Sequence, residues 1–353
     1  MSIPYLARRR IKSLFLTILV LIILAALICV AAVTYMKRYV VYTRDNGVVL
    51  DFNVDTSNST LNAVVAAPPV EDETVPIFYN EGENAIAMNK DLTQVWGYYI
   101  TTDDLARDLN GCRERVALLE AGTAVMIELK NGFGTFNYST KLAGAPLSAN
   151  VDVQAVDAFI QELRSRNLYL IARISAFRDR SYGMEHVTRG IYHVNKLGLW
   201  PDSQHCYWLD PTNTAVLGYV TSVLLEVKDL GFHEVVLADF KIPASDKALF
   251  NGDKNQALTG AAATLLENSG GSEIFTLSFM VASSTFQLPE GRCRMYLDSV
   301  TAEQVGASAA LTSVEDPLVY MVFVTDTNDT RFDEYGVLRP IAASDVLGSG
   351  DRK

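Results

Sequence analysis

Residues 168–243 constrain this chain more than any other stretch, because they run buried strand, polar loop, amphipathic helix and second buried strand, and then set an acid where that strand ends. Crossovers of this kind join parallel strands in a right-handed sense, and a β/α barrel keeps its site at the carboxyl ends of its strands. The first strand, 168–174, is an almost continuous apolar run, as parallel strands covered on both faces require. Arg173 interrupts it. A guanidinium keeps its proton, so inside a barrel it needs a carboxylate or a ligand, and its place near the strand end predicts the mouth. The preceding helix carries Val156, Phe159, Ile160 and Leu163 at one-face spacing. In the next, Val216, Val220, Val223, Leu224 and Val227 form one stripe that Gly231 ends. The strand 234–240 closes with Asp239-Phe-Lys-Ile-Pro243, since Pro243 cannot donate to a ladder. Asp239 is thereby predicted to point into the mouth.

Further strands are predicted at 95–100, 124–129, 274–280, 292–297 and 318–324, with a weaker one at 336–341. A helix is expected over 103–121 and another around 261–266. The segment between Met280 and Arg292 is too short for a crossover helix, and little chain remains for an eighth βα unit. The expected fold class is α/β, a TIM (β/α)8-like barrel over residues 91–345, degenerate in its second half.

Residues 13–36 form an uncharged apolar run, longer than the ~20 residues that span a bilayer core. Arg8, Arg9, Arg10 and Lys12 precede it, and Lys37, Arg38 and Arg44 follow, a slight bias toward an internal amino end. The expected plan is a cytoplasmic basic tail (1–12), a transmembrane signal anchor (13–36), and a juxtamembrane segment with an acidic stalk (37–90). The barrel would then lie outside the cell membrane on a single pass. A cleaved signal peptide fits less well, because the apolar core is too long and Lys37-Arg38 is a poor neighbour for cleavage. Bulky Ile28 likewise disfavours lipidation at Cys29. A short strand or a hairpin about Asp45-Asn-Gly47 is predicted.

From Asp51 onward the chain has 40 acidic and 23 basic residues, which makes nucleic acid a poor partner. Cys112, Cys206 and Cys293 lack CxxC spacing, and free buried thiols are expected. The four histidines show no metal-ligand spacing, so no metal is expected. Asn131-Gly-Phe-Gly134 is a turn rather than a dinucleotide loop, and no cofactor is implied.

An Ile-Ala-Arg strand, a following Phe177-Arg-Asp179, the Trp208-Leu-Asp-Pro211 turn, the Gly231-Phe232 helix end and the strand finishing Asp239-Phe-Lys-Ile-Pro243 resemble the "putative glycosyl hydrolase domain" family of bacterial proteins. The resemblance covers about 96–242 and implies a TIM barrel distantly similar to α-amylase-type hydrolases. In those relatives the nucleophile is an aspartate ending the fourth strand, which here corresponds to Asp239. Their general acid ends the fifth strand, where residues 278–284 contain no carboxylate.

Glycoside hydrolysis uses two carboxyl groups flanking the scissile bond. Beside Asp239 the candidates are Glu128, ending the second strand, and Asp210, with Asp298 and Asp326 more distant. Each has a structural alternative: Asp210 suits a helix cap, and Glu128 can pair with Lys130 or with Arg173 on the adjacent strand. Arg173, Lys130 and Lys241 are candidate polar ligands for a sugar. Tyr98, Phe177 and Trp208 are candidate stacking platforms, since sugar CH faces pack on aromatic rings. Tyr99 is expected in the core. Two functions compete: a membrane-anchored hydrolase acting on a glycan, and a carbohydrate-binding or cell-envelope protein that has lost the acid. A structural ectodomain is the third class.

Overall fold

In a computed structural model of the chain, the described residues are 40–43, 47–50, 92–270 and 275–341. The predicted span at 13–36, nearly all of the predicted stalk and the end of the predicted barrel domain lie outside them. The chain divides into two units, residues 1–79 and 80–353. In the first, β1 (Val40–Thr43) pairs antiparallel with β2 (Gly47–Leu50), the hairpin of the two forms expected from the sequence. Among the described residues no helix is long and apolar enough to cross a membrane.

The second unit is a closed barrel of parallel strands with helices outside, the TIM-barrel arrangement. Its strands are β3 (Trp96–Ile100), β4 (Ala124–Lys130), β5 (Tyr169–Ser175), β7 (Glu234–Ala238), β9 (Thr276–Met280), β10 (Met295–Leu297), β11 (Met321–Val324) and β12 (Gly336–Pro340), which pair in that order and close through β12 and β3. The remaining strands, β6 (Tyr192–His193) and β8 (Ala248–Leu249), form a small antiparallel pair that ties the loop after β5 to the loop after β7.

Strand residues alternate between two cores, because successive side chains leave a strand on opposite faces. Val125, Ile127 and Leu129 of β4, Leu170, Ala172 and Ile174 of β5, and Val235 and Leu237 of β7 face the helices. Ala124, Met126, Ile171, Val236, Ala238 and Leu338 fill the barrel interior. The same alternation puts Glu128, Arg173 and Tyr99 on the inner face at the carboxyl ends.

The outer layer begins with α1 (Thr102–Arg107) and α2 (Leu109–Val116), where the sequence predicts one continuous helix. Asp108 divides them: its side chain accepts from Gly111 N and starts a new helix. A Cβ at Gly111 would lie 2.3 Å from that carboxylate, so a larger residue there would make the Asp108 side chain shift. Next come α3 (Val153–Arg164), α4 (Arg180–Glu185) and α5 (Thr214–Asp229); α3 and α5 bury the predicted stripes. After α6 (Lys254–Asn268) the helical layer thins, and residues 281–294 between β9 and β10 contain no helix. Among the described residues the α-helices that follow are α7 (Val305–Leu311) and α8 (Pro317–Tyr320), and Asp316 with Pro317 turns the first residues of the predicted 318–324 strand into a helical turn. Cys112, Cys206 and Cys293 are free and buried.

One polar cluster inside the barrel has no counterpart in the sequence reading. Glu234, fully buried at the start of β7, accepts from Tyr169 and Tyr296 hydroxyls at 2.9 Å each, from Ser278 Oγ at 2.5 Å and from the Arg294 guanidinium. It lies at the amino end of the barrel, where buried polar networks serve stability.

Candidate active site at the barrel mouth

A cavity of about 720 Å³ opens at the carboxyl ends of the strands. Tyr99, Glu128 and Arg173 line one side of it, and Asp298, Asp326 and Arg331 stand in the loops after β10, β11 and beyond. Glu128 and Arg173 occupy register-paired positions on β4 and β5, and Arg173 Nη1 donates to Glu128 Oε1. The other carboxylate oxygen accepts from Thr102 N at 2.9 Å and Thr102 Oγ1 at 2.8 Å. Asn137 Nδ2 then bridges Thr102 Oγ1 and Glu128 O at 2.7 and 2.8 Å, fixing the whole corner. The Arg173 and Thr102 groups all donate to the Glu128 carboxylate, which fixes its orientation at the cavity wall. Its side chain keeps 14% of its exposure and that of Arg173 27%, so the pair faces the cavity without being open to bulk water.

Tyr99, expected in the core, lines the cavity instead, and Tyr98 is the tyrosine packed under the helices, edge-on to Trp96. Burial first, then the negative field of Asp326 and Asp104, push the Tyr99 phenol above its ordinary value, with Arg173 opposing them. It stays a neutral hydroxyl able to donate and accept.

Asp239 directly follows β7, the strand between those that contribute Arg173 and Met280 to the lining, but is not itself among the lining residues. Its φ of 53° turns the chain into the left-handed region directly after the strand, so its side chain leaves the inner-outer alternation. It is half-buried and accepts from Ser175 Oγ at 2.6 Å.

The other expected site residues are placed elsewhere. Lys130 is 1% exposed and bonds Asp179 at 2.8 Å and Ser175 O at 2.7 Å, so it is not presented to a ligand. A register shift between Glu128 and Lys130 carries it out of line with Glu128. Asp179, itself fully buried, caps α4 and also accepts from Tyr219 OH at 2.9 Å, which anchors the long loop after β5 to the barrel. Phe177 is core, packed on Phe240 at 5.0 Å. Trp208 is 5% exposed, its Nε1 without a hydrogen-bond partner among the described residues, and exposed Lys241 covers its ring at 5.7 Å. Asp210 holds a turn, accepting from Thr212 N and Oγ1 at 2.9 and 2.7 Å, while the cap of α5 is Asn213. The structure thus brings Glu128 and Arg173 together in the cavity and leaves Asp239, Lys241, Lys130, Tyr98, Phe177, Trp208 and Asp210 outside its lining. Among the described residues no group of three or more His, Cys, Asp or Glu side chains is arranged to hold a metal ion.

Comparison with known families matches residues 97–285, just over half of the chain, to a family described as "putative glycosyl hydrolase domain". Comparison with curated proteins finds no match. Among solved structures, a hypothetical protein from Ruminiclostridium thermocellum is 21% identical with a TM-score of 0.45, over 52% of this chain and 96% of that one. The glycoside hydrolase domain of a PelA variant from Pseudomonas aeruginosa is 13% identical with a TM-score of 0.43, over 72% and 97%. Ega3 from Aspergillus fumigatus, in complex with galactosamine, is 9% identical with a TM-score of 0.45, over 74% and 96%.

Proposed function

This chain belongs to the "putative glycosyl hydrolase domain" family, and on that premise we propose that it is a glycoside hydrolase-like protein whose barrel mouth binds a glycan and acts on it through paired carboxylates. The observation that carries this reading is the cavity at the carboxyl end, lined by an aromatic ring, an arginine–carboxylate pair and further acids. Glu128, held as an acceptor by Arg173 and Thr102, supplies the fixed negative charge that stabilises a developing oxocarbenium ion. Asp239, half-buried directly after β7 and accepting from the Ser175 hydroxyl, is the second carboxylate of the proposed pair. Arg173 positions Glu128, and Tyr99 offers the stacking face. The apolar run at 13–36 and the stalk after it support a single-pass anchor with the barrel outside the cell membrane, where cell-wall polysaccharide is the available glycan.

The test is reducing-end release from a glycan panel by the unmodified protein, Asp239→Asn and Glu128→Gln. Each variant should lose at least about 100-fold in turnover. Equal turnover by either variant removes that residue from the mechanism.

A second reading is a protein that binds glycans without cleaving them. The absence of a carboxylate from residues 278–284 at the end of β9 favours it. Saturable binding by the unmodified protein, with no product over extended incubation, decides for it.

A further inference from the structure

Both guanidinium groups in the cavity lining are already answered by carboxylates of the same lining. Arg173 holds Glu128. Arg331 reaches Asp329 through Nε and Nη2 at 2.9 and 2.7 Å, and Glu303 through Nη2 at 3.1 Å. The lining contains no lysine or histidine. Among the described residues Asp298 accepts only from the Ser299 hydroxyl, at 3.0 Å. Among the described residues the Asp326 side chain has no hydrogen bond or ion pair. Five carboxylates therefore face two guanidiniums, and the cavity walls carry a formal charge of −3 before any ligand enters. After burial, Asp326 is the largest influence raising the Tyr99 phenol, with Arg173 opposing it.

A concave site with this imbalance repels carboxylated or sulfated sugars and attracts a cation. The cation that a sugar can bring is the ammonium of an amino sugar whose nitrogen is not acylated. Resting on the glycan reading above, we infer that the mouth selects glycans containing unacylated amino sugars, whose ammonium groups pair with Asp326 and Asp298 while the ring packs on Tyr99. A divalent metal is the other way to answer the charge. It is the poorer fit, because no group of three ligating side chains converges among the described residues, whereas a single ammonium needs only one or two oxygens.

The experiment titrates the full-length protein in detergent with oligosaccharides matched in length and linkage, in a gluco and a galacto series, each supplied fully N-acetylated and fully unacylated. An acidic oligosaccharide of the same length serves as a further ligand. The unacylated member of a pair should bind about five-fold tighter at low salt, with the difference shrinking as salt is raised. In Asp326→Asn/Asp298→Asn the ratio within a pair should fall to about one; both side chains are exposed, and circular dichroism checks the fold. Equal affinity within every pair, tighter binding of the acidic ligand, or an unchanged ratio in the double variant overturns the charge selection and leaves the glycan reading standing. No binding of any ligand overturns both.

Discussion

Arg173 and Glu128 face each other across the β4–β5 ladder as register partners, and their side chains close that pairing in the wall of the barrel mouth. Neighbouring strands therefore deliver opposite charges to one point without help from a flexible loop. Rigid placement of this kind is what a site needs, since ligands held on strands are positioned more closely than ligands held on loops.

Breaking that pair should be costly. Arg173→Met leaves Glu128 with only its Thr102 donors, and because both side chains retain some water the loss should be about 2 kcal/mol, less than for a fully buried pair. Urea denaturation measures it. Glu128→Leu/Arg173→Met should recover much of the stability and none of the ligand binding. A single variant within about 0.5 kcal/mol of the unmodified protein would mean that solvent already screens the pair.

The position of this pair was legible in the sequence, and the reason is the period of the strand. Apolar residues flank Glu128 and Arg173 on strands covered on both faces, so alternation fixes which side chains point inward. On the first strand the expectation is inverted, with Tyr98 assigned to the ligand and Tyr99 to the core, because the two are alike and only the pairing of β3 with β4 shows which faces the cavity. Asp239 was read as a continuation of its strand, yet the left-handed turn at that residue ends the alternation, and no feature of Asp239-Phe-Lys announces it. Lys130 escaped for a similar reason, a register shift one residue after a well-paired stretch. The Glu234 network was illegible because its arginine, two tyrosines and serine are far apart in the sequence and meet only in the folded barrel.

Lys130 and Asp179 form the most deeply buried ion pair near the mouth, at 1% and 0% exposure. Lys130→Met would strand a buried carboxylate with only Tyr182 N and the Tyr219 hydroxyl as donors, at a cost of about 3 kcal/mol or more. Because Asp179 starts α4, the damage should concentrate in the loop after β5. Amide exchange would then rise across residues 177–190 ahead of the barrel strands. Uniform exchange throughout the barrel would contradict a local anchoring role.

His233 gives the fold a pH dependence of definite sign. Burial holds its imidazole below its ordinary value of 6.5, and Leu170 N donates to Nδ1 at 2.9 Å, a bond that only the unprotonated nitrogen accepts. Below that value the unfolded chain takes up more protons than the folded one, so stability rises with pH. The contribution is whole above about pH 6.5 and is lost as pH falls from there through the lower folded value. Denaturant midpoints at pH 7.5 and 5.5 should differ in the unmodified protein. They should nearly coincide in His233→Asn, whose side-chain oxygen can still accept from Leu170. An unaltered slope in that variant would assign the dependence to other groups.

Arg339 controls the other wall of the mouth without entering it. From β12 it donates to Thr327 O at 3.0 Å and Asp329 O at 3.4 Å, and to Asp333 Oδ1 at 2.8 Å, pinning the loop that carries Asp326, Asp329 and Arg331. A lysine there presents a single nitrogen and cannot span three acceptors with the geometry of a planar fork. Arg339→Lys should cost about 1–2 kcal/mol of stability, as expected for lost charge-assisted hydrogen bonds. Its larger effect should fall on the cavity, since a loosened loop spreads Asp326 away from Tyr99 and weakens any ligand that touches both. Ligand affinity should therefore drop further than the unfolding midpoint accounts for, while Arg173→Met, on the opposite wall, lowers both. If affinity in Arg339→Lys matches the unmodified protein at a temperature where both are fully folded, the loop is held by its own turns and Arg339 is only a stabilising residue.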